Sequence, residues 1–187
     1  MEFKGVKKVH EGRFISRYDV EYRTVDGQTK VYEMISRNKS VTDLESLQGK
    51  KADAVVLILT STDKKRILLN KEFRMAAGSW VYNFPAGLID AGETYEEAAE
   101  RELREETGLK LVSIDDHLIE SYSAIGFSNE QNICVIGTCE GTIQHSDSVF
   151  EEIEAAWYTK EEIRELLKTA RCAARTQAYL YMWSKED

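Results

Sequence analysis

Apolar and polar positions along the chain follow two different periods, and the change from one to the other outlines its parts. Residues 13–37, RFISRYDVEYRTVDGQTKVYEMISR, carry β-branched and aromatic residues on both sides of Asp26-Gly27, a dipeptide suited to a tight hairpin turn. Residues 1–48 therefore read as a small antiparallel β-unit. A hairpin alone is marginal in water, so this unit must pack on the rest of the chain or on a second subunit, and a homodimer is expected. The polar stretch NKSVTDLESLQGKK, residues 38–51, reads as a linker, which makes residues 49–187 the main domain.

In that main part ADAVVLILT is a nearly continuous apolar run, the pattern of a strand covered on both faces, and RILLNKEF reads as its partner. WVYNFPAGLIDAGE, with the sole proline Pro85, reads as a loop leading into a helix. HLIESYSA and NICVIGTCEG read as strands joined by IGFSNEQ, and EAAWYT as a shorter strand. TKEEIRELLKTA opens with Thr159 and Glu162 in capping-box register. In ARTQAYLYMW, Ala178, Tyr179 and Met182 fall at helical spacing and are expected to pack in the core. Strands and helices thus mix along one chain without repeats.

Composition narrows the class. The chain has 187 residues, is 42% hydrophobic and 31% charged, and carries a net charge of -8, as expected of an ordinary folded protein without the basic face that nucleic acid or an anionic membrane needs. Cys134, Cys139 and Cys172 lack paired metal-type spacing and read as small buried hydrophobes. The N-terminal residues show no apolar core of a signal peptide, and no run is long enough to span a bilayer, so a cytoplasmic setting is expected.

The excess acid concentrates in GLIDAGETYEEAAERELREETGL, residues 87–109. Thr94 with Glu97 makes a capping box and Gly108 suits a left-handed helix end, so the spacing predicts one helix over Tyr95 to Thr107. Glu102 and Glu106 share a face at i, i+4, where like charges repel by about 0.2–0.5 kcal/mol, and Glu105 lies on the flank. A divalent ion would offset that repulsion. Gly87, five residues, Glu93, seven residues, then Arg101-Glu102-Leu103-x-Glu105-Glu106-x-Gly108-Leu109 fills every fixed position of the Nudix box, and the chain resembles the Nudix hydrolase superfamily.

That resemblance implies an α/β fold, a mixed β-sheet sandwiched between helices (α-β-α) and preceded here by the small antiparallel unit. It implies phosphoanhydride hydrolysis with Mg²⁺ or Mn²⁺, hard cations that prefer oxygen ligands. Glu102 and Glu106 are then the main metal ligands, Glu105 supports them, and the carbonyl of Ala86 completes part of the shell. Arg101 and Glu93 hold the loop against the helix, while Gly87 and Gly92 allow tight or left-handed turns beside the ligands.

The β-unit, the EFR segment and PAGLID-GE look like the ADP-ribose and ADP-sugar pyrophosphatase branch, over about residues 13 to 183. In that branch the Arg74 position contacts substrate phosphate, and Glu130 matches the loop glutamate that serves as metal contact or base; Glu151 and Glu152 are weaker alternatives. Tyr18, Tyr22 and Tyr32 are candidates to stack on a base. Two positions depart from the pattern: Ile125 where proline is common, and Asn83 where Glu is frequent. Another nucleoside diphosphate sugar or a dinucleotide therefore stays open as substrate, as does a Nudix-fold sensor that binds nucleotide without cutting it.

Overall fold

β-Branched and aromatic residues at alternate positions make β2 (Ser16–Arg23) and β3 (Thr29–Ser36) an antiparallel hairpin, joined around Asp26-Gly27. β1 (Glu2–Glu11) pairs with β2 to complete a three-stranded sheet. The computed structural model describes residues 1–49, 51–146 and 152–186, which divide into two units.

The first unit is larger than an isolated β-unit: it comprises Met1–Asp53 together with Glu120–Asn132. Alternation along β2 turns Tyr18 and Val20 inward, where they meet Met34 and Val41 in a small core. Tyr18 is fully buried and its phenol donates to the Asn38 carbonyl at 2.8 Å, so it is a core residue and cannot stack on a base. The stretch expected as linker contains a short helix, α1 (Leu44–Gln48), whose cap Asp43 exchanges hydrogen bonds with Ser46. Residues 120–132 join this unit through backbone: Ile35 N–H donates to the Phe127 carbonyl at 2.8 Å.

The second unit comprises Ala54–Ile119 and Ile133–Asp187. Its elements are β4 (Ala54–Ser61), β5 (Arg66–Arg74), β6 (Ser79–Asn83), β7 (Ala86–Leu88), α2 (Tyr95–Thr107), most of β8 (Lys110–Tyr122) and of β9 (Gln131–Glu140), β10 (Ile153–Thr159), α3 (Lys160–Thr169) and α4 (Ala174–Trp183). The strands form a mixed seven-stranded sheet in the order β10-β5-β4-β9-β8, with β6 on β5 and β7 on β4. β6 and β7 occupy the segment expected as loop.

The continuous apolar run of β4 is buried on both faces. Val56 and Ile58, with Ile67 and Leu69 of β5, pack with Ile163 of α3 and Leu180 and Trp183 of α4. The alternate residues Val55, Leu57, Leu59 and Leu68, all fully buried, face the other way, and α2 packs against β4 and β7. Full burial of each such side chain contributes about 1.5–3 kcal/mol. The α-β-α expectation therefore holds. The stripe expected on α4 holds only in part: Tyr179 packs against Phe84 at the core, but Thr176, Leu180 and Trp183 are the buried residues and Ala178 and Met182 are exposed. Helical spacing alone does not fix which face turns inward, and Trp183 has more area to bury than Met182 when both compete. Cys134 and Cys139 are buried and Cys172 half-buried, and burial pushes the Cys139 thiol up to about 12.

Helix α2 ends as the sequence predicts. Thr94 caps it in a reciprocal bond pair with Glu97, and Gly108 sits at φ 72° with its N–H on the Arg104 carbonyl. A Cβ on Gly108 would lie 2.8 Å from Cβ of Gln144. Gly108→Val is therefore expected to destabilise the fold by about 2 kcal/mol in urea unfolding, from left-handed strain plus crowding. A loss below about 0.5 kcal/mol would contradict this reading of the helix end.

Candidate active site

Helix α2 presents its acidic face to β5 and β7, and each glutamate there has a different environment. Glu106 is 7% exposed. One oxygen, Oε2, accepts from the side-chain amide of Asn70 at 2.8 Å and from the backbone N–H of Ala86 at 3.2 Å. These are neutral donors, and among the described residues no cation pairs with Glu106. Desolvation first, then the charges of Glu102 and Glu72, push its carboxyl well above the usual range.

Arg101 fixes the approach to the helix. Its Nε and Nη2 donate to the two oxygens of Glu93 at 2.9 and 2.8 Å, and Nη2 also donates to the Leu88 carbonyl at 2.8 Å. Nη1 donates to Glu102 Oε1 at 2.6 Å. One guanidinium thus ties the loop after β7 to α2 and holds one carboxylate of the acidic face. The pairing holds the Glu93 carboxyl down at about 2 and pushes Arg101 further up.

Gly87 is required for space. Its φ lies outside the left-handed region, unlike Gly92 at +90°, and a Cβ built on it would fall on the Glu102 carboxyl. The backbone of β7 forms a cradle that a side chain would fill. Ala86, in the same short strand, pairs with Val56 and delivers its N–H, not its carbonyl, to Glu106, so the residue expected to offer a carbonyl lies next to an expected ligand.

Glu72 on β5 was not singled out from the sequence, although it is 9% exposed. Oε1 accepts from Asn83 Nδ2 at 3.1 Å and Oε2 from Arg74 Nη1 at 3.2 Å. Asn83 in turn accepts at Oδ1 from the Thr176 hydroxyl at 2.8 Å. The signal that could have found Glu72 is its phase: Leu68, Asn70 and Glu72 alternate onto one face of the strand, opposite the core residues Ile67 and Leu69.

The remaining candidates scatter. Glu105 is about half exposed and within 3.5 Å of both Arg101 and Arg104. Arg74 is exposed at the rim beside Glu72. Glu152, also in the second unit, lines with Glu72 and Arg74 a cavity of about 190 Å³. Glu130 belongs to the first unit, where it pairs with Arg37 and accepts from the Ser123 hydroxyl at 2.9 Å. Tyr22 and Tyr32 line a separate cavity of that unit, about 270 Å³, with Tyr22 edge-on to Phe3. Glu151 lies outside the described residues.

The donor set suits a hard divalent ion. All side-chain groups are oxygen, Glu106 is buried with no cationic partner among the described residues, and the Oδ1 of Asn70 is buried without a donor. Among the described residues no three metal-binding side chains converge into a finished cage, and Glu102 is turned toward Arg101.

Two outcomes follow from this geometry. Because the folded-state carboxyl of Glu106 is raised above its unfolded value of 4.5, the metal-free chain loses stability as pH rises above 4.5. In chelator at pH 8, Glu106→Gln is expected to melt above the unaltered chain and to lack that decline; a lower melting point would contradict the burial argument. Gly87→Ala is expected to leave melting nearly unchanged, since the flexible Glu102 side chain gives way, while catalytic turnover falls steeply. Unaltered turnover would remove the role of the cradle.

Comparison with known proteins shows the family. The NUDIX domain family matches residues 50–180. A putative nudix hydrolase 2 of Caenorhabditis elegans is 38% identical over 54% of this chain and 43% of its own length. An ADP-sugar pyrophosphatase of Mus musculus is 36% identical over 54% of this chain and 45% of its own length, and an ADP-ribose pyrophosphatase of Saccharomyces cerevisiae 31% over 73% and 57%. The chain thus spans about half the length of these relatives. The crystal structure of an ADP compounds hydrolase, 21% identical, superposes with a TM-score of 0.71 over 97% of this chain and 92% of that one, a likeness of fold. With its box complete and its carboxylates on one helix face, the chain belongs to the NUDIX domain family.

Proposed function

We propose that this chain is a hydrolase that cuts the pyrophosphate bond of a nucleoside diphosphate joined to another moiety, ADP-ribose or an ADP-sugar, giving a nucleoside monophosphate and a sugar phosphate. The observation that carries this reading is Glu106: a carboxylate buried on the box helix beside Glu102 and Glu72, with only neutral donors. The names of the mouse and yeast relatives support the substrate class.

Mg²⁺ or Mn²⁺ would be held by Glu102 and Glu106, with Glu105 and the Ala86 carbonyl in support. When bound, it supplies charge stabilisation for the phosphoryl oxygens. Arg101 and Glu93 hold the loop so that Gly87 stays against the Glu102 carboxyl. Arg74, exposed and reaching outward, suits a substrate phosphate. Glu130 is the proposed base for the attacking water. Tyr22, at the wall of the cavity in the first unit, offers a face to the nucleobase.

We also propose that the chain works as a homodimer through its first unit, where Phe14, Ile125 and Phe127 are exposed apolar residues of one unit. Among the described residues no helix is long and apolar enough to cross a membrane. A reducing cytoplasm suits its three free cysteines.

A panel of ADP-sugars, dinucleotides and nucleoside triphosphates, incubated with Mg²⁺ or with chelator, tests the reaction by its products. ADP-ribose or an ADP-sugar is expected to yield AMP only with the metal, and Glu102→Gln to lower turnover roughly a hundredfold or more with little change in melting. Tight nucleotide binding without product would overturn hydrolysis in favour of a sensor.

A further inference from the structure

We propose that β5 supplies two further oxygen ligands to the divalent-cation site, the carboxylate of Glu72 and the side-chain carbonyl of Asn70, so that strand and helix grip the ion together. This rests on the function proposed above but assigns residues outside the box.

Asn70 is 1% exposed, and its amide head lies at the carboxylates because Nδ2 donates to Glu106. That bond fixes the amide's orientation: the reversed head would set a carbonyl against a carboxylate. The consequence is that Oδ1 is buried without a donor among the described residues, an unfavourable place for a polar atom. A cation is the partner such an oxygen accepts.

Glu72 lies two residues along β5 on the same face, and Asn83 stands opposite Asn70 in the β5–β6 register. Its side chain is not a loose surface acid. Asn83 holds Oε1, and Asn83 is itself held by the buried hydroxyl of Thr176, so the carboxylate is aimed by a chain of neutral groups. Its cation among the described residues, Arg74, is a rim residue with a side chain 57% exposed, which can leave without uncovering the core. The carboxylate also borders the cavity of about 190 Å³ beside Arg74, which gives an ion a way in. Two buried carboxylates and a buried carbonyl thus lie on β5 and α2, which the Asn70–Glu106 bond joins. Hard cations of this type take six or more oxygens, and β5 offers what α2 alone lacks.

The test measures Mn²⁺ binding to the whole chain without substrate, by electron paramagnetic resonance of free Mn²⁺ and by the Mn²⁺-induced rise in melting temperature. Glu72→Gln keeps the bond from Asn83 and should fold, as its melting in chelator will report. It is expected to weaken Mn²⁺ binding about tenfold or more and to shrink the melting shift. Glu72→Asp, which keeps the charge but withdraws it by one methylene, is expected to weaken binding less. If both variants bind Mn²⁺ like the unaltered chain while Glu102→Gln does not, Glu72 is no ligand and only this inference fails. If the unaltered chain binds no Mn²⁺ at all, the function proposed above fails with it.

Discussion

The burial of the Glu106 charge constrains everything around it. An ionised carboxylate moved out of water costs several kcal/mol unless it is paired, and among the described residues it meets an amide and a backbone N–H but no cation. The apolar packing of α2 on β4 and β7 keeps it there: Ala98, Ala99 and Leu103 are fully buried, so the helix cannot roll to release its acidic edge. The fold thus holds a carboxyl whose ionisation is unfavourable until a cation arrives.

Around that buried group the remaining parts divide by task. Arg101 spends its donors on Glu93, the Leu88 carbonyl and Glu102, which joins loop geometry to the position of one carboxylate. Gly87 leaves room for that carboxylate to lie against the strand. Asn83 and Thr176 orient Glu72 from the other side, and α4 thereby reaches the site through a hydroxyl rather than through its apolar stripe. Asn83, the position where the resemblance leads to an expectation of Glu, donates here to the carboxylate of Glu72.

Much of this was legible in the chain. Helix α2 could be read to the residue because its caps are local: Thr94, Glu97 and Gly108 act on their own backbone. The β4 run and the β2–β3 hairpin were equally local signals. β1 was not legible, since most of its residues are exposed and charged and its pairing with β2 is what makes it a strand. β6 and β7 are short and flank Pro85, so only their partners β5 and β4 define them. Glu72 escaped notice because a Lys-Glu pair inside a strand looks like an edge until the flanking strands β6 and β10 are in place. The joining of residues 120–132 to the first unit depends on contacts far apart in sequence, which no local pattern encodes.

The central claim is that the acidic face of α2 exists to hold a divalent ion beside a diphosphate. A crystal structure with Mg²⁺ and a non-hydrolysable ADP-ribose analogue tests it most directly. The account predicts an ion bonded to Glu102 and Glu106, with Glu102 turned from Arg101 toward it. An occupied analogue with Glu102 still on Arg101 and no ion at Glu106 would contradict it.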